Sequence, residues 1–427
     1  MELFDQFRGI IGLALLVAGA WALSESRAHQ PGWKWIAGAL GLQGALALLI
    51  VRVPFVWELM GYANQAVAAI ERAALAGSSY MFGYLGGAEL PFALKDGAQP
   101  PLVIAFQILP LVIVFSALAA LLWHWGVLKW MVRGLSFLLR KSLGVSGVVG
   151  LSGGANVFLG VVESPLVVRA YFERMSRAEL FQVMVLAMAT ISGAILILYA
   201  TTLDDVVDDA VGHMIAASLV SLPAALLIAR LMVPETAGEG GAAGGTEIDE
   251  GEPGLRYESS IDAIVKGTMD GMQLFLAVIA VIIVVFALVN LTDQVLGLLP
   301  MVGGEAISLQ RVFGWLFAPL MWLIGVPWAE AQSAGALMGT KAVLNEYVAY
   351  LELAALPAGT LSERSLLIVT YALCGVANLA SVGLLVSTIG TLCPERRAEA
   401  AGLGIKSWIA GNMATAMTAA WIGLVTF

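Results

Sequence analysis

Two glutamates in this 427-residue chain sit where a charge needs a chemical reason. Glu163 lies in NVFLGVVESPLVV and Glu346 in KAVLNEYVAYLEL, each within a long apolar stretch. A carboxylate at membrane depth costs about 2.5–3.5 kcal/mol on insertion scales, so a residue kept there is functional by default. Gly160 and Pro165 bracket Glu163 and mark a hairpin tip, where backbone groups are left free to bind a ligand. Two more runs, AMATISGA (187–194) and ALCGVANLASVG (372–383), interrupt apolar segments with Thr190, Ser192 and Gly193, and with Gly375, Asn378 and Ser381. Unwound carbonyls and hydroxyls at such breaks bind cations or polar ligand groups. Asn378, and Asn156 at the opening of the first tip, are amides that need several partners when buried. There is no phosphate-binding GxxxxGKS loop, no HExxH pair and no pair of intramembrane aspartates, and His29, His124 and His213 are scattered. No assembled nucleophile and base is present, so an enzyme is not expected.

The elements that must carry these residues follow from composition. The chain is 59% apolar and 12% charged, with mean hydropathy +0.88, whereas a soluble domain is about half apolar and about a quarter charged. It reads as an all-α integral membrane protein. Eight runs approach the roughly 20 apolar residues of a transmembrane helix, near 8–24, 34–54, 101–127, 180–200, 211–233, 270–296, 366–392 and 403–426. Between the third and fourth, and between the sixth and seventh, the Gly-, Ser-, Asn- and Glu-containing stretches read as re-entrant helical hairpins. Residues 129–142 place Lys129, Arg133, Arg140 and Lys141 around an apolar stripe, the pattern of a helix lying in the interface. The Gly/Glu-rich stretch from 236 reads as a flexible cytoplasmic linker. Lys and Arg placement puts the linker and residues 129–142 inside and both termini outside. A leader is not evident, two cysteines do not make a disulfide framework, and the net charge of −9 argues against nucleic acid as a partner.

An internal repeat ties the parts together. LGVSGVVGLSGGA (143–155) aligns with IGVPWAEAQSAGA (324–336), matching Gly144 with Gly325; a shift of two residues then matches Glu163 with Glu346. Ser176 precedes Thr190, and Ser362 precedes Val376, by the same 14 residues. IAASLVSLPAALLIA from Ile215 pairs with IAGNMATAMTAAWIG from Ile409, and IVFSAL from Ile113 with VVFAL from Val284. Each copy holds three crossings, an odd number, so the second is expected upside down relative to the first. Inverted repeats with broken helices are the architecture of secondary transporters. The organisation expected is N-terminal scaffold helices and a connection over 1–100, a first repeat over 101–235, the linker over 236–262 and a second repeat over 263–427.

The strings FGYLGG (82–87), FQILPLVIVFSAL (106–118), ANVFLGVVESPLVVRAY (155–171), GTKAVLNEYVAY (339–350) and TYALCGVANLASVG (370–383) make the chain similar to the concentrative nucleoside transporters, from about Phe82 to the carboxyl terminus. The resemblance implies a homotrimer in the bacterial inner membrane, in which a fixed scaffold of first spans and two central helices is passed by a moving domain holding both hairpins, an elevator. It implies a base-binding tip at Val161, Val162 and Glu163, and a ribose-binding set at Glu346, Asn378 and Ser381. It also implies a Na+ site formed by Asn156, Thr190, Leu159 and Ile191. Family members commonly carry Gln and then Thr or Ser where this chain has Val161 and Val162. Two hydrogen-bonding side chains are thereby lost from the base pocket, and purine nucleosides such as adenosine are expected to be accepted at least as well as uridine.

The expected function is Na+-coupled uptake of nucleosides, the neutral oxygens at Asn156 and Thr190 suiting a hard cation. The alternatives are proton coupling through Glu163 or Glu346, and a passive channel or a receptor of the same fold.

Overall fold

The computed structural model describes residues 2–94, 102–161, 163–235 and 256–426. Val162 and most of the linker, residues 236–255, lie outside the described residues. The chain begins with α1 (Glu2–Ala22), α2 (Trp33–Arg52), the 29-residue α3 (Pro54–Phe82), the short α4 (Ile104–Gln107) and α5 (Pro110–His124). Pro54 opens α3 at a position where its missing N–H costs nothing. Next comes α6 (Val127–Leu143), which buries Leu128, Val132, Ser136, Leu139 and Leu143 at helical spacing while Arg133, Arg140 and Lys141 stay exposed, as the pattern over 129–142 predicts.

The first hairpin pairs α7 (Gly147–Asn156) with α8 (Glu163–Val167); it is followed by α9 (Arg177–Ala189), α10 (Gly193–Leu203) and α11 (Ala210–Met232). The second copy of this order is α12 (Ser260–Leu296), α13 (Leu309–Leu323), a hairpin of α14 (Trp328–Gly339) and α15 (Glu346–Ala354), then α16 (Glu363–Leu373), α17 (Leu379–Leu392) and α18 (Arg397–Val425). The paired glycines of the sequence repeat make the corresponding turns: Gly144 (φ 59°) joins α6 to α7, and Gly325 (φ 122°) lets α14 fold back from α13 at 118°. Ser176 and Ser362 cap α9 and α16, so the repeat is a repeat of structural punctuation.

Among the described residues, six helical stretches are long and apolar enough to cross a membrane: Trp33–Arg52, Ile104–His124, Arg177–Leu203, Ala210–Met232, Ser260–Leu296 and Pro394–Val425. The other two expected spans are not single long helices. The first has an apolar part of only Arg8–Ala22, and the seventh is broken between α16 and α17, leaving Leu379–Leu392 as its apolar part. The break has a packing cause, since a Cβ on Gly375 would meet the Thr415 methyl at 2.6 Å and the Met188 carbonyl at 3.1 Å.

Two packing regimes divide the molecule. Helices α9, α11 and α18 form the buried centre, α9 being buried from Ala178 to Ala189. In contrast α5 and α12 pack mainly on each other, and only a small share of either is buried; Gly267 and Gly271 of α12 lie flush on Ile113, Ser116 and Ala120 of α5, the small-residue contact by which membrane helices approach closely. The amino-terminal pair, α1 and α2, sides with the buried centre. Arg8 donates to the Val326 carbonyl (2.8 Å), Gln43 to the Thr418 hydroxyl (3.3 Å) and Arg52 to the Val425 carbonyl (3.0 Å).

Candidate functional site

Both hairpin tips and both helix breaks open into one cavity of about 310 Å3, which Leu274, Ala277, Val278, Val281 and Ile282 of α12 also line. At the first break, Thr190 ends α9 with extended backbone and Ser192 caps α10 by accepting from Ile195 N. At the second, Asn378 caps α17, its Oδ1 accepting from Ser381 N at 2.8 Å. At each break the new helix is capped by a polar side chain, Ser192 or Asn378, that lines the cavity.

The second tip is the more polar. After α14 the chain makes a π-helical turn over Thr340–Leu344, a feature often found at functional sites. Asn345 then caps α15, accepting from Tyr347 N (2.7 Å) and Val348 N (3.4 Å). This delivers Glu346, 5% exposed, as the first helical residue. One of its carboxylate oxygens accepts from the Tyr199 hydroxyl at 2.7 Å and the other from Asn378 Nδ2 at 2.6 Å. A carboxylate offers about four lone-pair sites, so both oxygens keep acceptor capacity for a ligand. The Tyr199 ring stacks on Tyr347 at 5.6 Å and 13°, giving an aromatic wall beside the carboxylate.

In the first hairpin Glu163 folds back over Gly160, where a Cβ would collide with the carboxylate. Asn156 ends α7, buried; its Oδ1 accepts from Ser164 Oγ (2.6 Å) and its Nδ2 donates to the Ser152 carbonyl (2.9 Å). Thr190 Oγ1 donates to the Leu186 carbonyl (2.9 Å), and the Thr190 carbonyl accepts from Val376 N (3.4 Å), joining the two breaks. Asn156, Leu159, Thr190 and Ile191 line the same cavity. They offer an amide oxygen, a hydroxyl and main-chain carbonyls. Such a neutral oxygen set suits a hard cation of low charge, and no cluster of three acidic, His or Cys side chains fit for another metal exists among the described residues.

Every described residue assigned from the resemblance to the base, ribose and ion sites lines this cavity: Asn156, Leu159, Val161, Glu163, Thr190, Ile191, Glu346, Asn378 and Ser381; Pro165, Gly193 and Gly375 do not. Sequence reasoning missed Tyr199, Asn345 and Tyr347. Asn345 had a signal, a capping residue directly ahead of the glutamate; Tyr199 had none, being one tyrosine in an apolar run.

A helical membrane protein whose two hairpins and two broken helices meet around one largely apolar cavity with a few convergent polar groups belongs to the class of transporters. Three family models match: "Na+ dependent nucleoside transporter C-terminus" over residues 213–423, its N-terminal counterpart over 11–85, and "Nucleoside recognition" over 105–205. An uncharacterized transporter of Haemophilus influenzae is 36% identical over 97% of this chain and 96% of its own length. The nucleoside permease NupC of Helicobacter pylori is 31% identical over 99% and 98%. CNTnw, solved in an inward-facing substrate-bound state, is 35% identical with a TM-score of 0.88 over 99% of both chains. A doubly substituted CNTnw in an outward-facing state gives 0.85 at 33% identity, over 99% of this chain and 98% of that one. The chain belongs to the concentrative nucleoside transporter family. It is a multi-pass membrane transporter and not an enzyme.

Proposed function

We propose that the protein takes up nucleosides across the bacterial inner membrane by symport with Na+, as a homotrimer of eight spans and two re-entrant hairpins per protomer arranged as inverted repeats. The observation that carries this reading is that Glu163 and Glu346, from the two hairpin tips, share one cavity with the break residues Thr190 and Asn378. Glu346 accepts the two ribose hydroxyls, Asn378 and Ser381 complete the sugar site, and Glu163 meets the base with Val161 and Val162 beside it. Na+ is held by Asn156, Thr190 and the carbonyls of Leu159 and Ile191. Because both breaks are joined at Thr190 and Val376, filling the ion site stiffens the wall against which the nucleoside binds. The smooth apolar face of α12 is the surface past which the hairpin-bearing domain slides, and the existence of inward- and outward-facing forms of CNTnw supports such an elevator.

The energetics suffice. A tenfold Na+ gradient supplies about 1.4 kcal/mol and 100 mV adds about 2.3 kcal/mol per charge, enough for accumulation of roughly several hundredfold. The test is uptake of labelled uridine and adenosine into proteoliposomes under a Na+ gradient and, separately, a pH gradient. Concentrative uptake under Na+ alone is the expected result. Accumulation only under the pH gradient would replace Na+ by protons, and mere equilibration would make the protein a passive channel.

A further inference from the structure

Lys341 is fully buried, and the nucleoside and Na+ sites make no use of it. It lies in the π-helical turn of the second hairpin, five residues before Glu346. Its Nζ donates to Asn412 Oδ1 (2.8 Å) and Thr415 Oγ1 (3.1 Å), both on α18. Asn412 in turn donates to the Ala377 carbonyl in the α16–α17 break (2.9 Å), next to the Asn378 that holds Glu346. Trp408, one turn before Asn412, donates to the Ala342 carbonyl inside the π turn (2.7 Å). Tip, break and last helix are thus one hydrogen-bonded unit around an ammonium. Both of its partners on α18 are neutral, so they satisfy hydrogen bonds without balancing the charge. A buried charge needs a counter-charge, and the carboxylate this network reaches is Glu346, linked to Lys341 through Asn412, the Ala377 carbonyl and Asn378 and not by a direct ion pair. The first hairpin is built differently. Neither Glu163 nor Glu346 has an ion-pair partner within 4 Å among the described residues, but residues 147–167 of the first hairpin contain no Lys, Arg or His at all and carry the neutral oxygen set instead.

We propose that Lys341 is a positioning residue that gives the second hairpin a built-in cation: its ammonium balances the Glu346 carboxylate and pins the tip to α18, so this half holds its charged ligand group in place without recruiting an ion from solution. The two repeats then divide the work, one binding an exchangeable cation and the other carrying a tethered one.

The proposal rests on Glu346 belonging to the ligand site, and its test is independent of ligand. Thermal unfolding of the full-length detergent-purified protein, without nucleoside or Na+, is compared among the parent, Lys341→Met, Glu346→Gln and the double variant. Lys341→Met strands a buried carboxylate, and breaking a buried pair on one side is more damaging than replacing both partners. The expected result is a large fall in Tm for Lys341→Met, with at least roughly half of it recovered when Glu346→Gln is added. A double variant no more stable than Lys341→Met would overturn the proposal, because packing or hydrogen bonding by Lys341 is not repaired by changing Glu346. Should Lys341→Met yield no folded protein, the double variant decides alone: it is expected to fold, and its failure beside a folded Glu346→Gln counts against the charge pair. Uridine binding to Glu346→Gln is measured separately; retained affinity there would remove Glu346 from the sugar site without touching the result of the cycle.

Discussion

The two hairpins share an order of elements and differ in what they place at the tip. In the first, α7 ends on a buried amide, Asn156, and the tip carries a half-buried Glu163 lying over Gly160. In the second, a π turn and an Asn345 cap set a buried Glu346 between two donors, Tyr199 and Asn378, with Lys341 behind it. The difference teaches that a repeat preserves backbone punctuation more strictly than chemistry. Gly144 and Gly325 do the same job in both halves because a left-handed turn admits few residues. The side chains at the tips are free to diverge, so one half presents a carboxylate held by two donors and the other a set of neutral oxygens.

The sharpest way to break this comparison is at Glu346. Glu346→Gln is expected to reduce nucleoside uptake by at least about 100-fold with the oligomer intact, since hydrogen bonds to a charged acceptor contribute about 1.5–3 kcal/mol each and an amide cannot accept two hydroxyls as a carboxylate does. Initial-rate uptake beside size-exclusion of the purified protein checks this; near-normal uptake would take Glu346 out of sugar recognition and leave the two tips without the proposed division of roles.

The first hairpin is tested through its ion. Asn156→Ala and Thr190→Ala are each expected to raise the Na+ concentration for half-maximal uptake by roughly tenfold, the equivalent of about 1.4 kcal/mol, with a smaller change in maximal rate. If both variants keep the parent's Na+ response, the oxygen set at Asn156 and Thr190 is structural and the cation binds elsewhere.

Much of this site is legible in the sequence because its members break the local rule. Glutamates in apolar stretches stand out, and so do Gly375 and Asn378 inside what would otherwise be a span. What is hidden is of two kinds. Helix α3 escapes a hydropathy reading because Glu58, Asn64, Gln65, Glu71 and Arg72 interrupt any long apolar run, although 29 residues fold as one helix against α5 and α11. The side of the molecule to which α1 and α2 belong is also invisible, as it is decided by polar contacts such as Arg8 with the Val326 carbonyl, more than 300 residues away. Lys341 reads as one more cation in an embedded segment until α18, 71 residues on, is seen to supply Asn412. Such long-range pairings leave no periodic trace in a single chain.

A finer contrast concerns the first tip alone. Val161 lines the cavity, and the sequence follows it with a second valine, Val162, where the counterpart tip carries Asn345 ahead of its glutamate. An apolar wall discriminates among bases weakly, whereas a hydrogen-bonding wall rejects mismatched edges strongly. Adenosine and inosine are therefore expected to compete with labelled uridine at least as well as cytidine does, and the pair Val161→Gln with Val162→Thr to shift preference towards uridine several-fold. Strict pyrimidine selectivity in the unaltered protein would show that these valines do not set base choice.

The smallest expected effect lies where a loop carboxylate fastens the two halves together. Glu25, in the loop between α1 and α2, accepts from Arg177 at the start of α9 (2.9 Å) and from Lys406 on α18, so one carboxylate clamps the first repeat to the second. The hydrogen bond from Arg177 is the main reason its carboxyl is held down to about 2, from an ordinary 4.5. A carboxylate with a depressed folded value contributes stability that is complete above its unfolded value and is lost as pH falls towards the folded one. The clamp is therefore intact above pH 4.5 and is released progressively between 4.5 and about 2. Its partners are partly exposed, and an ion pair in such a setting contributes only about 0.2–1 kcal/mol. Glu25→Gln should lower Tm slightly at pH 7 and flatten the part of the Tm-versus-pH curve below 4.5 that Glu25 contributes. A variant whose acid-limb slope matches the parent's would show that this clamp adds nothing to the helix packing and hydrogen bonds that already join the repeats.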